Sequence, residues 1–191
     1  QLACTLAHSI IRQSDKVAFA TFDDQIRVAL PPSNSSSQIV RIADVLDSSR
    51  PMETTELPVC VNEMAGRLGR REIVMIFSDF FTDLDALEPA LQQLRFQQHE
   101  VVLFQVLHHD ELHFDFKGPA KFVGLEIPQT LLARPEDLRQ AYLQSLERFQ
   151  NRLKEICQCN RCEHVVLDTN IPMAEELINY LNSRTTFGSR R

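Results

Sequence analysis

The chain has 191 residues, 43% hydrophobic and 24% charged, with a formal net charge of −6. Such a length and composition describe one folded domain with a substantial core, and the acidic balance argues against nucleic-acid binding, which needs a concentrated basic face. No apolar run approaches the roughly 18–20 residues of a membrane span, no signal-peptide pattern is visible, and the five glycines form neither a GxxxxGK[ST] phosphate loop nor a GxGxxG dinucleotide turn.

In chain order, Leu2, Leu6 and Ile10 with Ala3, Ala7 and Ile11 mark one face of an opening helix. VAFATF (Val17–Phe22) predicts a strand, Asp23–Asp24 a turn, and IRVAL (Ile26–Leu30) the hairpin partner, with PPSNSSS as a loop. Helical patterns follow at about 36–48 and 56–68, the second ending near Gly66 and Gly69, where glycine serves as a terminator. The run IVMIFS (73–78) predicts a strand buried on both faces. Asp85 is expected to cap the next helix, with Pro89 in its first turn and Leu87, Ala90, Leu91 and Leu94 facing the core. EVVLFQVL (Glu100–Leu107) is a second buried strand, and 110–128 reads as an extended excursion. A long helix from about Pro135 to Cys157, the strand HVVLD (His164–Asp168) and a helix opened by Pro172 complete the pattern. Residues 1–184 form one domain and 185–191 a flexible tail on this reading.

Alternating strands and helices predict an α/β fold, a mostly parallel sheet with helices on both faces. Ligands of such sheets bind beyond the carboxyl ends of the strands, where Asp79 falls. The opening helix has no strand before it, so the pattern also predicts that the first, central strand lies upstream of Gln1 and that the chain is a fragment. The sheet edge exposed by that gap would favour self-association.

Five segments carry a family resemblance: QLACTLAHSIIRQSDKVAFATFDDQIRVALPP, IVMIFSDFFTDLDALEPALQQLRFQQHEVVLFQVLHHDEL, FKGPAKFVGLE, the LRQAYLQSLERF helix, and DTNIPMAEELINYLNSR. In order and spacing, over nearly the whole chain, they resemble the von Willebrand factor A-like (vWA) proteins of family fifty-eight of the domains of unknown function. The resemblance implies a Rossmann-like vWA fold and a non-enzymatic binding or adaptor role beside a MoxR-type AAA+ ATPase, in assembly or maturation of other proteins. It also implies a metal-ion-dependent adhesion site (MIDAS) for Mg²⁺ or Mn²⁺. That site combines a DxSxS motif after the first strand, a Thr in a later loop and an Asp after the fourth strand. Asp79 matches the Asp and Thr55 the Thr, with Thr54 as the neighbouring alternative and Ser78 supporting the turn. DxSxS is absent from this sequence. Mg²⁺ takes about six oxygens, so two matching residues predict no metal bound by this chain as it stands.

Other constellations compete for attention. His108, His109, Asp110, Glu111 and His113 offer imidazole and carboxylate ligands, but on extended backbone neighbouring side chains point opposite ways, so the expectation is a solvated loop. Cys157, Cys159, Cys162 and His164 offer soft ligands at a spacing unlike the usual zinc knuckles. With an odd total of five cysteines and no export signal, reduced thiols in a cytoplasmic protein are expected. The alternative enzyme reading is Mg²⁺-dependent phosphoryl transfer or nuclease chemistry, using Asp79 with Asp23, Asp24 or Asp168. It requires those carboxylates to converge. The basic residues, Arg70–Arg71 and Arg190–Arg191 among them, are too scattered for a nucleic-acid face.

Overall fold

A computed structural model describes residues 1–50, 55–116, 120–123 and 130–188. At its centre is a parallel sheet of three strands in the order β3 (Ile73–Ser78), β4 (Glu100–Leu107) and β7 (Glu163–Asp168). β3 and β4 begin and end at the residues predicted from their apolar runs, but only β4 is covered on both faces. In β3, expected to be buried on both faces, Ile76 alone is buried and Ile73 is 54% exposed, because the strand lies at the margin of the described sheet with a ladder partner on one side. β4 lies between its neighbours, and residues 101–105 and 107 are buried.

Alternation divides the sheet into two faces. On one, Val74, Ile76, Val101 and Leu103 pack with α3 (Leu57–Ala65), α4 (Leu84–Phe96) and α6 (Pro135–Cys159) through Leu57, Val61, Leu87, Leu91, Leu94, Leu153 and Ile156. On the other, Met75, Phe77, Val102, Phe104, Val165 and Leu167 pack with α1 (Leu2–Arg12) and α7 (Met173–Gly188) through Leu2, Leu6, Leu177 and Tyr180. The arrangement is α/β with a parallel sheet between helices, as the strand–helix alternation predicts, and it is Rossmann-like, as the family resemblance implies.

The hairpin of β1 (Val17–Phe22) and β2 (Ile26–Ser33) forms its own antiparallel ladder. β2 runs on through Pro31, Pro32 and Ser33, with Ser33 opposite Val17, so the loop expected at Pro31 begins later. α2 (Ser37–Ser48) follows it. Among the described residues no ladder joins the hairpin to β3, which pairs with β4 alone.

Three local expectations need correction. α4 is capped by Asp83, whose Oδ1 accepts from the backbone N–H groups of Asp85 (2.9 Å) and Ala86 (3.3 Å). Asp85 is therefore inside the first turn, where its charge suits the helix dipole. Pro89 lies in the second turn, leaving the Asp85 carbonyl without its usual donor. Gly66 ends α3 at φ −71°, without the left-handed turn for which glycine is usually selected.

The excursion after β4 also differs from a purely extended segment. It opens with a short helix, α5 (His109–His113), before the antiparallel pair β5 (Ala120–Val123) and β6 (Thr130–Ala133). α7 continues to Gly188, so its last turn overlaps the segment expected to be a tail, while 189–191 lie outside the described residues. Among the described residues no helix is long and apolar enough to cross a membrane.

Candidate functional site

The carboxyl ends of the three parallel strands deliver the polar groups of interest. β3 ends in a tight turn: the Phe80 N–H donates to Ser78 Oγ (3.0 Å), the Phe81 N–H to Asp79 Oδ1 (3.0 Å), and the Thr82 N–H to the Phe80 carbonyl (2.7 Å). Phe80 sits at φ 62°, a left-handed conformation that a non-glycine residue adopts at a cost of about 1–2 kcal/mol. Complete burial of its ring in the α3/α4/α6 core offsets that strain. The result is an exposed Asp79 held at the strand end, with Ser78 supporting the turn.

Beneath this turn lies Gln105, a fully buried amide in the middle of β4. Its Nε2 donates to the Asp79 carbonyl at 3.0 Å, and its Oε1 lies 3.1 Å from Nε2 of His164 on β7. The chain His164–Gln105–Asp79 satisfies polar atoms that would otherwise be stranded between sheet and helices, and it ties the β3 turn to β4 and, through it, to β7.

Burial holds the His164 imidazole below its ordinary 6.5, and the Lys154 ammonium adds to the shift. A base whose folded-state pKa is lowered binds fewer protons when folded, so its contribution to stability is lost as pH falls through the unfolded value. The difference in unfolding free energy between the wild-type chain and His164→Gln is therefore expected to shrink as pH drops below about 6.5. Urea titrations over a pH series measure it, and a flat difference would show that the imidazole is not desolvated.

Thr55 is exposed just before α3. Its neighbour Glu56 donates its N–H to the Asp23 carbonyl at 2.9 Å, which places this loop beside the β1–β2 turn. Among the described residues no hydrogen bond or ion pair joins Thr55 to Asp79, and Thr54 lies outside the described residues. Mg²⁺ demands close to octahedral oxygen coordination. Asp79, with one oxygen already accepting the Phe81 N–H, and Thr55 do not complete such a shell by themselves.

The acids of the enzyme reading are engaged elsewhere. Asp23 and Asp24 each take a 2.6 Å contact from Arg27 within the hairpin turn, and the Arg27 hydrogen bond lowers the Asp23 pKa to about 2. Asp168 pairs with His109. Among the described residues none of these carboxylates joins Asp79 in a cluster of three potential ligands.

The cysteine motif is likewise dispersed. Cys157 is buried on the core face of α6, and desolvation pushes its thiol up to about 12. Cys162, packed against the same cluster, is pushed up to about 11, while Cys159 is exposed. With His164 turned to Gln105, these residues do not gather around a common point. They are free thiols, as expected.

The histidine segment departs furthest from its expectation as a loop. Glu111 Oε2 accepts the His108 N–H at 2.6 Å, while His108 Nδ1 accepts the Asp110 N–H at 3.2 Å. This reciprocal capping opens α5. Phe114, left-handed at φ 50° and buried, closes it, with its ring stacked on Tyr142 of α6 at 4.6 Å. One helical turn then separates His109 from His113, and their rings lie 4.3 Å apart. Parallel pairing sets Asp168 opposite Leu107 at the neighbouring strand end, directly beneath α5. His109 Nδ1 is 2.8 Å from Asp168 Oδ2, and His113 Nε2 is 4.0 Å from the same oxygen. The Asp168 hydrogen bond, more than any other influence, raises the His109 pKa, and the same bond lowers that of Asp168.

Fold and strand-end geometry define a Rossmann-like α/β domain with its polar groups at the carboxyl edge of the sheet. The chain belongs to the family described as "Protein of unknown function DUF58", whose profile matches residues 1–152. Among solved structures it is similar to the conserved hypothetical protein BatB from Bacteroides thetaiotaomicron. The two share 13% identity and a TM-score of 0.56, over 96% of this chain and 86% of that one. At that identity the likeness is one of fold. An uncharacterized membrane spanning protein from Vibrio fischeri, 13% identical over 97% of this chain and 83% of its own, superposes with a TM-score of 0.26. No curated protein matches the chain.

Proposed function

We propose that this chain is a non-enzymatic protein-binding domain, an adaptor that uses the carboxyl edge of its parallel sheet as the contact surface. The observation that carries this reading is Asp79: an exposed carboxylate, held at a strand end by a strained turn whose backbone is fastened from below by Gln105. A surface acid needs no such scaffold to be soluble. A carboxylate presented to a partner or to a bridging cation does, because recognition depends on a fixed position.

The vWA resemblance supplies the kind of partner, a MoxR-type AAA+ ATPase acting in assembly or maturation of other proteins, and the odd set of five cysteines favours the reducing cytoplasm as the place. In the intact family Mg²⁺ or Mn²⁺ would bridge the two proteins, with Asp79 and Thr55 contributing part of the ligand set and Thr54 and Ser78 flanking it. This chain leaves the remaining oxygens to other donors.

The test is capture of a purified MoxR-type ATPase by the immobilised chain, with millimolar Mg²⁺ or with a chelator. Binding to the wild type and its loss in Asp79→Ala, with an unchanged circular dichroism spectrum, is the expected outcome. Capture that is indifferent to Asp79→Ala would sink the proposal. Phosphoester hydrolysis with Mn²⁺ that disappears in the same variant would favour the enzyme reading instead.

A further inference from the structure

We propose that His109, His113 and Asp168 form a binding site for a first-row divalent cation of the Zn²⁺ class, separate from the edge around Asp79. One ligand atom from each of the three residues lies within 4.8 Å of the others, the single group of its kind among the described residues. In a tetrahedral site with bonds of about 2.0–2.1 Å, neighbouring ligand atoms sit about 3.3 Å apart. The His109–Asp168 separation of 2.8 Å is already close to that, and the 4.0 Å from His113 to Asp168 closes with a small side-chain rotation. His113, at 51% side-chain exposure, has room for it.

Three features distinguish this constellation from an ordinary surface ion pair. Two imidazoles converge on one carboxylate oxygen, and their rings are in contact. Ring nitrogens and a carboxylate oxygen from two separate elements thus face one small volume, the arrangement a single shared cation requires. The carboxylate is also braced from behind: Asp168 Oδ1 accepts the Asn170 N–H at 2.8 Å, and the Asp168 N–H donates to Glu176 Oε1 at 3.3 Å. Supporting hydrogen bonds of this kind fix the orientation of metal ligands. Finally, both ends of α5 are fixed, by the capping at His108 and by the stacked Phe114, so the register that superposes the two histidines is built into the fold.

Two imidazoles and one carboxylate select Zn²⁺ and its transition-metal neighbours over Mg²⁺ and Ca²⁺, which prefer all-oxygen shells. With side-chain exposures of 37% for His109 and 11% for Asp168, the site has an anchored base and an open mouth, leaving a fourth position for water or for a donor from another molecule.

The test is calorimetric titration of the full chain with Zn²⁺ under reducing conditions, alongside His113→Ala and Cys159→Ser. The proposal expects one Zn²⁺ per chain, affinity at least about tenfold weaker in His113→Ala, and no change in Cys159→Ser. No saturable binding by the wild type, or binding that survives His113→Ala but is lost in Cys159→Ser, would overturn it. Should His113→Ala misfold, long-range ¹⁵N–¹H spectra of the wild type decide: Zn²⁺ must shift the ring nitrogens of both His109 and His113, and unmoved rings overturn the assignment. Asp79→Ala should bind Zn²⁺ like the wild type, so failure here is distinguishable from failure of the adaptor reading.

Discussion

Replacing Phe104 by alanine is expected to destabilise the domain by about 3–5 kcal/mol, a large part of the roughly 5–15 kcal/mol that holds a typical domain folded. Phe104 is buried at the middle of the central strand, stacked on Phe77 at 4.8 Å and set edge-on to Tyr180 at 5.0 Å. Its removal opens a cavity where β3, β4 and α7 meet, and neighbours on three different elements cannot collapse into it together. Urea unfolding measures the effect as a lower midpoint at unchanged slope. Phe96, the last residue of α4 and 89% exposed, is the matched control. Phe96→Ala should stay within about 0.5 kcal/mol of the wild type. Equal losses in the two variants would mean that the two-faced sheet is not the core.

The second large effect is expected from Gln105→Leu, which nearly preserves volume but removes the buried amide. The Asp79 carbonyl loses a donor and His164 Nε2 loses its acceptor. Each stranded group costs about 1–3 kcal/mol, so the two together predict a loss of about 2–6 kcal/mol. Adding His164→Leu should recover part of it, because the imidazole is then no longer stranded, and a double-mutant cycle reads that coupling directly. Amide exchange at Phe80 and Phe81 should also quicken in Gln105→Leu, because the turn presenting Asp79 has lost its anchor. Additive single effects and unchanged exchange would show that Gln105 does not organise this edge.

How far the fold could be read in the sequence depends on how local each signal is. The apolar runs at 73–78 and 100–107 carry their own boundaries, and Leu87, Ala90, Leu91 and Leu94 announce the buried face of α4 by spacing alone. Capping was harder: Asp83 and Asp85 both precede the apolar face of α4, and only the backbone path decides which one accepts the first free N–H groups. α5 is shorter than any window over which helical periodicity shows. Its signals were present nonetheless, in the acid three residues after His108 and the i, i+4 spacing of His109 and His113.

Local pattern thus determined the α/β class, the order of elements and the placement of Asp79 at the carboxyl end of an apolar strand, because apolar periodicity is a property of neighbouring residues. Tertiary structure alone decided which distant groups meet. Asp168 is 59 residues from His109, and the two come together because β7 pairs with β4 in a register that sets Asp168 against Leu107. Gln105 reaches Asp79 and His164 for the same reason: strand order and register bring three strands side by side. Strand order and register follow from the packing of the whole sheet between its helices, a balance that no single segment encodes.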